Sequence, residues 1–213
     1  MQDIGVFYPN MFHIFSECPM KFYRKYAEQI SIPVLDKNFS VGKNIHALAS
    51  YYLKGENINK FENVLTLKEK EYWDYLKNNE YFNYEPIYIE KNIIRKLDKY
   101  WIGGRLDALV KSGENIYILD YKTGKIQKDM TFDFQTMTYC LLCEDIMKEF
   151  NSLTFIYIDL KNKIDIKIEY NINLKREYEA LLIKLCDRIQ KFEPKNFSFP
   201  NNCNCEYSRI CCI

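Results

Sequence analysis

The chain has 213 residues, 47% hydrophobic and 28% charged, which suits one folded domain with a sizeable core and excludes a disordered or collagen-like polymer. The 30 Lys and Arg against 29 Asp and Glu leave a formal net charge of +1, so a polynucleotide partner must be met by a local basic groove rather than by overall charge. No apolar run approaches the ~20 residues that span a bilayer, and the N-terminal MQDIGVFYPNMF lacks a basic and apolar leader; a soluble, cytoplasmic protein is expected.

Residues from about 10 to 79 read as helical. Phe12, Phe15, Phe22, Tyr23 and Tyr26 recur at helix-like spacing, Val41–Leu53 carries Ile45, Leu48, Ala49 and Tyr52, and Phe61–Leu76 is amphipathic. The polar Lys77-Asn78-Asn79 breaks the pattern, after which the period changes. Pro86–Lys91, Leu97–Ile102, Arg105–Lys111 and Ile116–Lys122 are short runs rich in β-branched and aromatic residues. Gly103-Gly104 and Ser112–Asn115 are read as the turns between them, with Thr123-Gly124 closing the meander. A helix is predicted from Phe132 to about Phe150, then strands over Thr154–Leu160 and Ile164–Tyr170, then a helix over Asn173–Phe192 and a Pro- and Cys-bearing tail. The order predicts an α/β domain with a mixed central sheet flanked by helices. It divides into a helical part (1–80), a core (81–192) and a Cys-rich tail (193–213) packed on the N-terminal part.

The informative stretch is Gly103 to Lys125. Strand side chains alternate, so Asp120 and Lys122 project from one face, and a hairpin through Gly113 brings Asp107 alongside them. An arbitrary Asp-x-Lys is usually a solvated strand face. Here the apolar run Ile116–Leu119 leads into Asp120, as in a buried strand that ends at a site. Two carboxylates and an ammonium suit phosphodiester hydrolysis: carboxylates hold Mg²⁺ or Mn²⁺, the ion activates water and offsets transition-state charge, and the lysine orients the nucleophile.

Gly104-Arg105-Leu106-Asp107 followed by Leu119-Asp120-Tyr121-Lys122-Thr123-Gly124 resembles the signature of the PD-(D/E)XK nuclease superfamily, in its RecB-like branch. The resemblance implies a restriction-endonuclease-like α/β fold, with Asp107 and Asp120 as metal ligands and Lys122 as catalytic lysine. Gln135-Thr136-Met137-Thr138-Tyr139 resembles the branch's Gln-xxx-Tyr motif, which adds Gln135 and Tyr139 to the catalytic set; their i, i+4 spacing shares a helix face. Gly42–Leu48 resembles the Gly-xxx-His segment and implies His46 as a further metal ligand. His13 matches no motif and is assigned a structural role. Glu85 and Glu90, on the strand before the hairpin, are candidates to assist at the site, with a solvated strand face as the preferred reading.

Among eight cysteines, Cys203, Cys205, Cys211 and Cys212 crowd the end and Cys18 stands near the start. In a reducing compartment, clustered thiols point to a metal or cluster rather than disulfides. Their order resembles the iron–sulfur subset of the branch, which includes AddB-type subunits and small CRISPR-associated exonucleases, and implies a [4Fe–4S] cluster on Cys18, Cys203, Cys205 and Cys211. Only Asn204 separates Cys203 from Cys205 where the family has two residues, so Cys212 is an alternative ligand, and Zn²⁺ on four thiolates is the competing metal. Cys140, Cys143 and Cys186 are read as buried small hydrophobes.

The resemblance implies a Mg²⁺- or Mn²⁺-dependent deoxyribonuclease, an exonuclease for single strands or frayed ends in DNA processing, repair or spacer acquisition. Helicase or CRISPR-adaptation proteins would be its partners. A non-catalytic, iron–sulfur DNA-end-binding subunit of a larger complex is the alternative. The residues themselves do not separate DNA from RNA. Tyr121 and Tyr139 are expected to stack on unpaired bases, and Lys125 and Lys128 to meet phosphates.

Overall fold

Alternating apolar residues in the middle of the chain build a five-stranded sheet in the order β1-β2-β3-β4-β5. The strands are β1 Glu85–Leu97, β2 Tyr100–Ser112, β3 Asn115–Lys122, β4 Ser152–Asp159 and β5 Ile164–Tyr170. The β3–β4 pair is parallel and the other three are antiparallel. A parallel pair needs a long crossover, here supplied by α6 (Phe134–Leu142) and the short α7 (Glu144–Met147). The computed structural model describes residues 4–32, 39–198 and 205–211.

Two cores form, one on each face. On one, Ile116, Ile118, Phe155 and Tyr157 pack with α1 (Pro9–Glu17), α6 and α8 (Ile172–Gln190). On the other, Leu119, Tyr121, Ile156 and Ile158 pack with α3 (Phe39–Leu53) and α5 (Leu67–Lys77). Three short helices complete the set among the described residues: α2 (Pro19–Phe22), α4 (Asn59–Glu62) and α9 (Ser208–Cys211). Helix α5 begins on a capping box between Thr66 and Glu69, and the buried Glu69 also accepts from the Asn44 amide at 2.7 Å, which ties α5 to α3.

The mixed sheet flanked by helices, with a helical N-terminal region, agrees with the predicted α/β class. Three boundaries differ. Gly103-Gly104 divides nothing: β2 runs through it, and the turn falls at Asp98-Lys99, with Asp98 in the left-handed region (φ 54°). A Cβ on Gly104 would stand 2.4 Å from Tyr139 Cε1, so the glycine is there to admit the α6 ring, and five strands form where six were expected. The predicted helix over 132–150 is interrupted at Cys143 into α6 and α7, and Phe61–Leu76 is split into α4 and α5.

Candidate active site

The site grows from a defect in the sheet. The β2–β3 ladder ends at Ala108↔Leu119, although both strands continue. Beyond it the Tyr121 backbone has no backbone partner on β2, and a buried peptide group cannot be left unpaired cheaply. Two side chains take the strand's place. Asp107 Oδ2 accepts from Tyr121 N at 3.2 Å, and His46 Nε2 donates to Tyr121 O at 2.9 Å. His46 Nδ1 then lies 3.2 Å from Asp107 Oδ1.

A second irregularity brings in Glu90, for which the sequence reading preferred a solvated strand face. Ile89 pairs with Ala108 and Lys91 with Leu106, which brackets Glu90 opposite Asp107. Glu90 is in the left-handed region (φ 51°), a costly conformation for a residue with a Cβ. At this kink the alternation flips, since Leu106 and Ala108, two residues apart, join different cores. Glu90 is therefore half-buried rather than on a solvated face, and His46, Glu90 and Asp107 offer ligand atoms all within 4.8 Å of one another. Glu85 is exposed, 3.0 Å from Lys111, as a solvated strand residue would be. His46 reaches the cluster because Gly42, one turn earlier on α3, packs close to Thr123: a Cβ there would meet Thr123 Oγ1 at 3.1 Å.

Asp120 and Lys122 share the face toward α6, as the two-residue period requires. Asp120 is 2% exposed. Its Oδ2 lies 2.7 Å from Lys122 Nζ without a well-aligned hydrogen bond, and its Oδ1 accepts from the Gln135 amide. Gln135 Oε1 in turn accepts from Lys122 Nζ at 2.8 Å, so one amide locks both charged groups. Gln135 is aimed by the start of α6, where Asp133 caps the helix and accepts from Gln135 N at 2.8 Å. Lys122 Nζ also lies 5.6 Å from the centre of the Tyr157 ring.

The electrostatics follow from three carboxylates sharing a half-buried cleft. Burial raises the Asp120 carboxyl above its ordinary range; Lys122 opposes this and Asp107 reinforces it. Burial and then Asp107 likewise raise Glu90. Burial works against the charge on Lys122 but Asp120 outweighs it, so the ammonium is held above its usual value. Burial also disfavours the His46 imidazolium, yet the hydrogen bond and charge of Asp107 prevail and raise it to about 9. Beside the effects of burial, the Asp107 charge favours the protonated form of all four groups, and the oxygen-rich, one-imidazole donor set suits a Mg²⁺ or Mn²⁺ ion.

The other expected residues fall as follows. Tyr139, 8% exposed, donates to Arg105 O at 2.8 Å, which braces β2, and it also meets the Gln135 side chain beside the carboxylates. Tyr121 is 2% exposed, so neither tyrosine has a face free for a base, contrary to the expectation. Lys125 and Lys128 line a separate cavity with Asp159 and Lys161. His13 pairs with Asp133 at 3.3 Å. Cys140, Cys143 and Cys186 are buried, and burial pushes the last two up to about 12. At the tail, Lys21 lies 3.3 Å from Glu206, Arg24 hydrogen-bonds Cys211, and Tyr207 donates to Ile30 O at 2.8 Å, which sets Cys205 and Cys211 against the segment that follows Cys18. Cys203 and Cys212 lie outside the described residues.

Comparison with known proteins gives a consistent result. Residues 60–212 match the family described as the PD-(D/E)XK nuclease superfamily. The CRISPR-associated exonuclease Cas4 of Francisella tularensis subsp. novicida (strain U112) is 25% identical over 126 residues, 56% of this chain and 61% of that protein. The chain thus matches about three-fifths of that relative's length. An exonuclease candidate from Eubacterium rectale superposes with a TM-score of 0.58 at 12% identity, over 97% of this chain and 88% of that one. SSO0001 superposes with a TM-score of 0.54 at 15% identity, over 91% and 79%. These two likenesses show the fold.

Proposed function

Because this chain belongs to the PD-(D/E)XK nuclease superfamily, we propose that it is a Mg²⁺- or Mn²⁺-dependent deoxyribonuclease, an exonuclease that works on single strands or frayed ends. The observation that carries this is the convergence of His46, Glu90 and Asp107 beside the Asp120–Lys122–Gln135 lock. The name of the relative, a CRISPR-associated exonuclease, supports the exonuclease assignment, and helicase or CRISPR-adaptation proteins are the partners proposed with it.

In this reading His46, Asp107 and Asp120, the ligands that the family resemblance implies, hold the divalent ion, and Glu90, which lies with His46 and Asp107, joins them. The bound ion would lower the pKa of a coordinated water and offset the charge that grows on the phosphate. Asp107 and Tyr121 O hold the imidazole by both nitrogens; with Nε2–H donated to the carbonyl, Nδ1 is the nitrogen left to face a ligand. Lys122 supplies a point charge that orients the attacking water or steadies the developing oxyanion. Gln135 keeps Asp120 and Lys122 in mutual register, and Tyr139 positions the strand that carries Asp107.

The same proposal assigns a [4Fe–4S] cluster to Cys18, Cys203, Cys205 and Cys211. Lys21 and Arg24 beside the tail would offset the negative charge of thiolate ligands. Zn²⁺ accepts the same ligands, so iron, sulfide and zinc assays on anaerobically purified protein decide between the two. The nuclease is tested with end-labelled single- and double-stranded DNA in Mg²⁺, Mn²⁺ or EDTA, with Lys122→Ala beside the wild type. Cleavage that needs metal and disappears in the variant is expected; DNA bound but never cut by either would replace the enzyme with an end-binding subunit.

A further inference from the structure

Helix α3 leaves the His46 cluster along the wall of a cavity of about 640 Å³, lined also by Lys43, Tyr51, Lys54, Glu90 and Arg105. Across a ridge formed by Ala47 and Tyr51 lies a second cavity of about 320 Å³, lined by Leu48, Phe61, Val64 and Leu65. The two share Ala47 and Tyr51, so they form one path that starts at the carboxylates and turns apolar. On the ridge the Tyr51 and Phe61 rings stack, centroids 5.3 Å apart and 11° from parallel. Phe61 is 48% exposed and the neighbouring Val64 is 77% exposed, an apolar patch that burial in the fold does not account for.

From this we propose that Tyr51 and Phe61 are a stacking platform for an unpaired base of the strand whose backbone crosses the metal site. The proposal rests on the nuclease reading of that site and adds what selects the substrate. Three features commit the path to a polynucleotide rather than to an apolar protein segment. It is continuous with the phosphate-handling cluster. Its first half carries the exposed cations Lys54 and Arg105, the latter held by Glu90 at 2.9 Å, while its second half is aromatic. That alternation of cation and ring is what single strands are bound by, with phosphates on the charges and base faces on the rings.

The spacing fits as well. Tyr51 follows His46 by five residues, about 7.5 Å along the helix axis, the reach of one or two nucleotides. The platform is also rigid before any ligand arrives. Glu62, next to Phe61, accepts from Trp73 Nε1 at 2.7 Å and lies 2.9 Å from Lys77 Nζ, which ties α4 to α5, and α5 is tied to α3 through Asn44 and Glu69. Inside a duplex each base face is covered by its neighbours and only the outer faces of the end pairs are open, so the rings favour an unpaired base. The platform therefore discriminates single strands from duplex by chemistry that the carboxylate cluster lacks.

The test measures equilibrium binding in EDTA, where no cutting occurs, of a fluorescent single-stranded oligodeoxyadenylate and of a blunt duplex. The proteins compared are wild type, Phe61→Ala, Phe61→Trp, and Leu181→Ala on α8, an exposed leucine that lines neither cavity. Phe61→Ala is expected to weaken single-strand binding ~10-fold and leave duplex binding unchanged, with Phe61→Trp restoring it and Leu181→Ala silent. No single-strand binding by wild type, an unaffected Phe61→Ala, or an equal loss for duplex overturns the proposal. Because the readout is binding, a protein that binds through Phe61 but never cuts with Mg²⁺ or Mn²⁺ sinks the nuclease reading and leaves the platform standing.

Discussion

Gly104 tests how tightly the strand that carries Asp107 is fitted to helix α6. In Gly104→Ala the new methyl would stand 2.4 Å and 3.0 Å from Tyr139 Cε1 and Cδ1, and 3.3 Å from Leu142 Cδ1. The ring has little room to retreat, since it stacks on Phe155 at 6.2 Å and its hydroxyl is bonded to Arg105 O. Overpacking of this kind costs ~1–3 kcal/mol, and losing the hydroxyl bond ~0.5–1.5 more. Against this, alanine restricts the unfolded chain and returns ~0.4–1 kcal/mol. The net destabilisation is about 0.5–4 kcal/mol, which for a domain of this size lowers Tm by roughly 2–4 °C per kcal/mol. Thermal unfolding of Gly104→Ala, Tyr139→Ala and the double variant in EDTA measures it. The double variant should recover part of the Gly104→Ala loss, a coupling of ~1 kcal/mol or more, because the two side chains would occupy the same space. A Gly104→Ala protein that melts within a degree of wild type, or strict additivity in the double variant, would refute the argument.

Two further outcomes concern the carboxylate cluster. Glu90→Gln should weaken Mn²⁺ binding by at least ~10-fold in isothermal titration while leaving Tm nearly unchanged; an unaltered affinity would remove Glu90 from the ligand set. His46 rises in the folded protein to about 9, against an unfolded value near 6.5. Its contribution to metal-free stability is therefore complete below about pH 6.5 and is lost as pH climbs through about 9. Metal binding runs the other way and strengthens across that window, because the ion must displace the proton. Urea unfolding in EDTA at several pH values should show the decline in wild type and a flatter profile in His46→Asn; identical profiles would contradict it.

The features legible in the sequence are those fixed by local period. Asp120 and Lys122 share a face because strands alternate, Gln135 and Tyr139 share one because helices repeat near four, and β5 falls on the predicted Ile164–Tyr170. What stayed hidden depends on contacts between distant segments. Gly103-Gly104 has the composition of a turn, and only the approach of Tyr139 turns it into strand. Glu90 looks like any exposed strand glutamate until the kink opposite Asp107 rotates it inward. Nothing near Tyr51 or Phe61 announces that α3 and α4 meet there. The tyrosines within the motifs drew the base-stacking assignment only by proximity in sequence, and both prove to be interior.

Tyr121 gives the opened sheet a use of its own. Its peptide N–H and C=O are held by Asp107 and His46 instead of by a neighbouring strand. The amide proton is thus a spectator that senses the carboxylate directly: anything that draws Asp107 away, a cation or a substitution, is written into its exchange rate and chemical shift. The protein carries a probe of its candidate site in its own main chain, legible without substrate, label or turnover.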